Sequence, residues 1–121
     1  MKLFVYGTLR KNHHNNILLF TSSFLGEAIT EVGYELALSG IPYLIKGGEQ
    51  VVGEVYEVDE ETLSVIDQLE GHPDCYTRKD IKVFLNDELI TVQAYHWCHI
   101  DKTDIRVYPR TTDYSRSVGR C

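Results

Sequence analysis

The segment from Asp59 to Pro73 is the most strongly marked helix in the sequence, and almost everything around it reads as short strands cut by glycine. That pattern limits the chain to a small α+β fold. Asp59 is a candidate N-cap, and Glu60 and Glu61 fall in the first turn, where the helix macrodipole favours acids. Leu63, Ile66 and Leu69 keep one apolar face. Gly71 and Pro73 then stop the helix, glycine as a left-handed cap and proline because it lacks a donor. Glu70 therefore sits on the last turn.

The strand candidates are Leu3 to Tyr6, Tyr43 to Ile45 and Val51 to Val58, where Gly53 permits a close approach or a bulge. Phe24 to Leu38 reads as two short strands or as one strand bent around Gly33, and Gly40-Ile41-Pro42-Tyr43 breaks the pattern. Tyr76 to Leu85 and Leu89 to Trp97 alternate on either side of Asn86-Asp87-Glu88, which predicts an antiparallel hairpin. Asn12 to Asn16 is a loop or the start of a helix carrying Ile17 to Phe20.

A chain of 121 residues suits one domain, expected over 1–121, and residues 101–121 read as an extended tail that packs locally or closes over a pocket. No apolar run approaches the ~20 residues of a membrane span, and no secretory signal is apparent, so a cytoplasmic location and no membrane partner are expected. The formal net charge of -6 argues against binding nucleic acid, which rests on a basic surface. Cys75, Cys98 and Cys121 are odd in number and widely spaced, as free thiols in a reducing compartment would be. Oligomeric state cannot be read from these residues.

Two segments carry chemistry. The turn at Tyr6-Gly7-Thr8-Leu9 follows a strand and could aim bare N-H groups at a carboxylate or oxyanion, because glycine has no Cβ to block approach. The same residues also read as a plain tight turn with Tyr6 in the core. Glu70, at a helix C-terminus, stands where partial negative charge pushes a carboxyl pKa upward, toward that of a useful base; taken alone, the residue reads more simply as a solvated helix-end acid. Asp67, about 60° away around the helix, could flank that base or bond the backbone. His13-His14, His72 with Cys75, and Cys98-His99 lack the paired spacing of a zinc site, so no metal is expected. A Cys75 nucleophile assisted by His72 would lack a third, orienting group.

Val5-Tyr6-Gly7-Thr8-Leu9-Arg10, Gly40-Ile41-Pro42-Tyr43, Gly53-Glu54-Val55-Tyr56 with Asp59-Glu60, and Leu69-Glu70-Gly71-His72-Pro73-Asp74-Cys75-Tyr76-Thr77-Arg78 occur in the order and spacing seen in the gamma-glutamylcyclotransferase-like family. The chain is most similar to its gamma-glutamylamine cyclotransferase branch. The resemblance implies a small mixed β-barrel flanked by short helices, with a cavity at one end. It also implies that the backbone of Tyr6, Gly7, Thr8 and Leu9 binds a glutamyl moiety and that Glu70 is the single acid and base. By the same match Tyr76 lines the pocket, and Ile41 and Pro42 touch the substrate. The implied partner is a small γ-glutamyl compound and the implied products are 5-oxoproline and a free amine, with no cofactor. The alternative is a barrel that binds a small acidic metabolite, as a sensor, without turnover. The leaving amine cannot be read from the sequence.

Overall fold

The computed structural model describes residues 1–39, 41–70, 76–97 and 110–113, with residues 14, 38–39, 41–43, 97 and 110 described by backbone alone. In chain order the elements are β1 (Lys2–Val5), a 3-10 helix (His14–Leu19), β2 (Ser23–Thr30), β3 (Tyr34–Ser39), β4 (Ile41–Lys46), β5 (Val52–Glu57), α1 (Glu60–Glu70), β6 (Tyr76–Leu85), β7 (Glu88–Trp97) and β8 (Arg110–Thr111). Five strands close a barrel in the order β1-β5-β2-β6-β7, and β4-β3-β8 form a separate three-stranded sheet. The barrel is mixed because β7 runs parallel to β1, with Leu3 opposite Gln93.

Strand alternation sorts the side chains into two cores. Phe4, Ala28, Val55, Ile81, Val83, Val92 and Ala94 come from all five barrel strands and meet in one cluster, so they fill the interior; Leu36 and Leu44 of the second sheet pack against them. The opposite faces supply Leu3, Val5, Tyr56, Tyr76 and Tyr95, which form a second cluster with Leu63 and Ile66 of α1 and Leu19 of the 3-10 helix. Thus β1 is buried on both faces. At ~1.5–3 kcal/mol per fully buried large side chain, this short strand is anchored out of proportion to its length.

The predicted helix ends match the structure. Asp59 Oδ1 accepts from the Thr62 amide at 2.7 Å, which lowers the Asp59 pKa, and Glu70 is the last residue of α1. The hairpin forms with Asn86 and Asp87, both at positive φ, as its turn, and Glu88 already pairs with Leu85 in β7. Of the two readings of residues 24–38, the structure has two strands, separated at Gly33, whose φ of 134° belongs to glycine.

One expectation needs correction. Ile41 and Pro42 do not break the pattern: they open β4, with Pro42 opposite Leu38. This is possible because β4 is an edge strand, where a residue with no N-H to donate is tolerated. The segment carrying Ile17 is a helix, one of the two forms read from the sequence, and it is of the 3-10 type over His14–Leu19. Within 101–121, residues 110–113 are described: β8 pairs with β3, and the Thr112 carbonyl accepts from the Val52 amide at 2.8 Å. The rest of that segment lies outside the described residues.

Gly53 is a point of close approach. A Cβ built there would stand 2.4 Å from the Val5 carbonyl oxygen and 2.6 Å from the Phe4 ring. The carbonyl belongs to the β1–β5 ladder and cannot withdraw alone. Gly53→Ala should therefore destabilise the fold by at least the ~1–3 kcal/mol typical of overpacking, read as a lower urea midpoint. An unchanged midpoint would contradict this packing.

Candidate active site

The loop that leaves β1 folds back at Gly7 and Asn12. The Arg10 amide donates to the Gly7 carbonyl at 3.0 Å, and Asn12 sits at a φ of 69°. This return brings Asn15 and Asn16 alongside the loop. The Asn15 amide donates to the Thr8 carbonyl, its side chain reaches Thr8 Oγ1 at 2.8 Å, and Asn16 Nδ2 donates to the Leu9 carbonyl at 2.7 Å. The carbonyls of Gly7, Thr8 and Leu9 are thus all engaged. Among the described residues, the N-H groups of these three donate to nothing. A run of leftover amides is what an anionic group would bind.

The far end of the loop is pinned by a buried ion cluster. The Arg10 and Glu54 side chains are only 6% and 5% exposed, with Arg10 Nε 3.5 Å from Glu54 Oε2. Arg10 Nη1 donates to Asp113 Oδ1 at 2.7 Å, beyond β8. Glu54 Oε1 accepts from the Lys11 amide at 2.9 Å and from the Tyr56 hydroxyl at 3.1 Å.

Between this loop and the end of α1 lies a cavity of about 240 Å³, lined by Phe4 to Leu9, Asn15, Leu69, Glu70, Tyr76 and Tyr95. It is smaller than the ~300–1,000 Å³ that holds drug-sized ligands, and suits the headgroup of a small metabolite. Glu70 is the one carboxyl among the described lining residues, and burial lifts its pKa to about 7. Desolvation is the cause; the sequence reading had invoked the helix terminus. Among the described residues nothing donates a hydrogen bond to this carboxylate. Tyr6 donates its hydroxyl to the Tyr95 carbonyl at 2.7 Å. Burial first, and the Glu70 charge second, push the Tyr6 hydroxyl pKa well up, while a hydrogen bond from the Leu44 backbone opposes them, so Tyr6 remains a neutral donor.

The predicted residues Tyr6, Gly7, Thr8, Leu9, Glu70 and Tyr76 therefore line one cavity. The backbone of Ile41 and Pro42 lies in β4, and their side chains are outside the description. His72 and Cys75, the alternative nucleophile pair, lie outside the described residues, as do Cys98 and His99. Among the described residues no three His, Cys, Asp or Glu side chains converge as metal ligands would, and no helix is long and apolar enough to cross a membrane.

Asp67, one turn before Glu70 on α1, bonds side chains of the hairpin. It takes Arg78 Nε at 2.7 Å and Nη2 at 3.1 Å, together with the Tyr95 hydroxyl. Tyr95, Asn15 and Leu69 are lining residues that the sequence reading did not select. Tyr95 had a legible signal: Ala94 and Tyr95 are adjacent and both apolar, so both faces of β7 are covered there. Asn15 had none, because its position depends on the turn at Asn12.

A closed mixed barrel thus holds a small cavity in which a carboxyl of raised pKa and the backbone amides of the first loop share one lining, parts that acid-base chemistry can use. The chain belongs to the gamma-glutamyl cyclotransferase, AIG2-like family of enzymes, whose sequence profile matches residues 3–116. It is 46% identical over 87 residues to a Methanocaldococcus jannaschii protein with a provisional gamma-glutamylcyclotransferase name, covering 69% of this chain and 72% of that one. It is 39% identical over 94 residues to the gamma-glutamylaminecyclotransferase of Bos taurus, covering 69% of this chain and 56% of the longer bovine one. The crystal structure of an AIG2-like protein from mouse superposes with a TM-score of 0.83 at 26% identity, covering 93% of this chain and 86% of that one.

Proposed function

We propose that the protein cyclises γ-glutamyl amines or amides, releasing 5-oxoproline and the free amine, with Glu70 as the general acid and base. One observation carries this reading: a carboxyl held near neutrality shares its cavity with three amides that donate to nothing else among the described residues. The family membership and the relatives' names supply the reaction class.

The substrate contains its own nucleophile, so ring closure needs correct folding of the chain and the transfer of protons from the α-nitrogen to the leaving nitrogen. Glu70 takes a proton from the α-ammonium. The freed amine attacks the γ-carbonyl to form a five-membered tetrahedral intermediate. The amides of Gly7, Thr8 and Leu9 hold the α-carboxylate or the developing oxyanion, and Tyr76 and Tyr95 wall the pocket. Glu70 gives the proton it took to the leaving nitrogen as the C-N bond breaks, then takes the second proton from the ring nitrogen and passes it to the departing amine, which leaves as an ammonium ion; the ring nitrogen keeps one hydrogen and no net proton is gained or lost.

The test is to incubate the protein with a panel of γ-glutamyl amines and amino acids and measure 5-oxoproline. Binding across the panel with no product would support the non-catalytic binder instead. Because Glu70 must be ionised to accept the proton, and its pKa is about 7, kcat/KM should fall as pH drops below about 7, nearing tenfold per unit. A profile flat from pH 8 to pH 5 would remove Glu70 from the proton transfer.

A further inference from the structure

Among the described residues nothing bonds the Glu70 carboxylate, and what places it in the cavity is the last turn of α1. The apolar anchors of that helix, Leu63 and Ile66, are both spent before this turn, and Leu69 is half-exposed. Asp67 is what ties the turn down. Its carboxylate takes the Arg78 guanidinium of β6 in two-point fashion and the Tyr95 hydroxyl of β7. Arg78 and Tyr95 are cross-strand partners, and Arg78 Nη1 also bonds Gln93 Oε1. Tyr95 continues the connection, since its own carbonyl accepts the Tyr6 hydroxyl at the start of the first loop. An unbroken path thus runs from the helix end, through Asp67 and Tyr95, to the residue before Gly7.

We propose that Asp67 and Arg78 are a positioning pair for the reaction, setting the distance between the Glu70 carboxylate and the amides of Gly7 to Leu9, with Tyr95 as the spacer between helix and loop. The inference rests on Glu70 being the acid-base group. Arg78 is suited to the task because a planar, two-point contact fixes orientation as well as distance, which a lysine ammonium does not. A displacement of ~1 Å at a reacting group can cost on the order of 100-fold in rate, so a contact outside the reacting atoms can still govern turnover.

The experiment compares Asp67→Asn, Arg78→Lys, their double variant and Tyr95→Phe, with Glu70→Gln in parallel. Each is assayed for kcat, KM and the pH dependence of kcat/KM at a temperature well below its melting midpoint. Asp67→Asn and Arg78→Lys should each lower kcat by about 10- to 100-fold with a smaller change in KM. The double variant should be little worse than the worse single one, because the two residues act as a unit. The acid limb should also move below its wild-type position: a loosened last turn lets water reach Glu70, whose titratable neighbours among the described residues are the neutral hydroxyls of Tyr6 and Tyr95, with Tyr76 lining the same cavity. Tyr95→Phe removes only the hydroxyl contact and should move the limb the same way, which keeps the test open if a charge variant folds poorly. A lowered melting midpoint with wild-type kcat and an unmoved limb would make the pair purely structural and overturn the inference. Wild-type turnover in Glu70→Gln would instead overturn the catalytic reading beneath it.

Discussion

Glu70→Gln should abolish most turnover, lowering kcat by about 10²- to 10⁴-fold, the usual contribution of a positioned acid-base group, while substrate still binds. Glutamine is nearly the same size, makes no new ion and cannot accept the ammonium proton. The same variant should also be more stable than the wild type under alkaline conditions. Burial raises the Glu70 pKa from its ordinary value to about 7, so the folded state binds more protons than the unfolded chain between those values. Stability linked to this group is therefore fully present below the unfolded pKa, is lost as pH rises toward about 7, and stays lost above it. Glutamine carries no charge to desolvate, so the melting temperatures of variant and wild type should separate on going from pH 5 to pH 8, with the variant higher at pH 8. A group that costs stability at working pH is expected where function demands it. Full activity in the variant, or no pH-dependent separation, would sink the respective half of this expectation.

Arg10→Met should cost about 3–5 kcal/mol of folding free energy, the penalty for removing one partner of a buried ion pair. Methionine fills similar volume, so the loss is mainly electrostatic: Glu54, 5% exposed, and Asp113, 18% exposed, would keep their carboxylates without the cation between them. Arg10 Nε finds no hydrogen-bond acceptor despite its closeness to Glu54, so that contact acts through charge rather than through a directed bond. Neutralising the partner as well, in Arg10→Met with Glu54→Gln, should recover part of the loss. Urea titration measures both. A loss under ~1 kcal/mol, as for an exposed pair, would mean the cluster is wetter than its burial implies.

Local features of the sequence were legible because they are decided locally. Asp59 caps α1 through its own near neighbour Thr62, and β6 and β7 alternate around a turn whose Asn86 and Asp87 tolerate positive φ. Gly53 was legible as a position of close approach, though not what approaches it. Pro42 misled because a proline argues against a strand until the strand is known to be an edge. The partners of Asp67 and Arg10 were out of reach for a different reason. Arg78, Tyr95, Glu54 and Asp113 are brought to them only by barrel closure and by β8, and no local period encodes those distances. For the same reason the first loop was legible as a turn with glycine, while the engagement of its carbonyls by Asn15 and Asn16, which singles out its amides, was not.

The neighbours of β1 have a bearing on how the protein is made. Its two flanking strands are β5 and β7, so Leu3 waits for a partner some ninety residues later in the chain, Gln93. Contacts of such long sequence separation form slowly, because loop-closure entropy is lost before they are gained. During synthesis β1 emerges well before β7, and the loop from Tyr6 to Leu9 that lines the cavity is joined directly to it. Completion of the barrel wall and enclosure of the cavity are then one event, and a half-made chain holds neither.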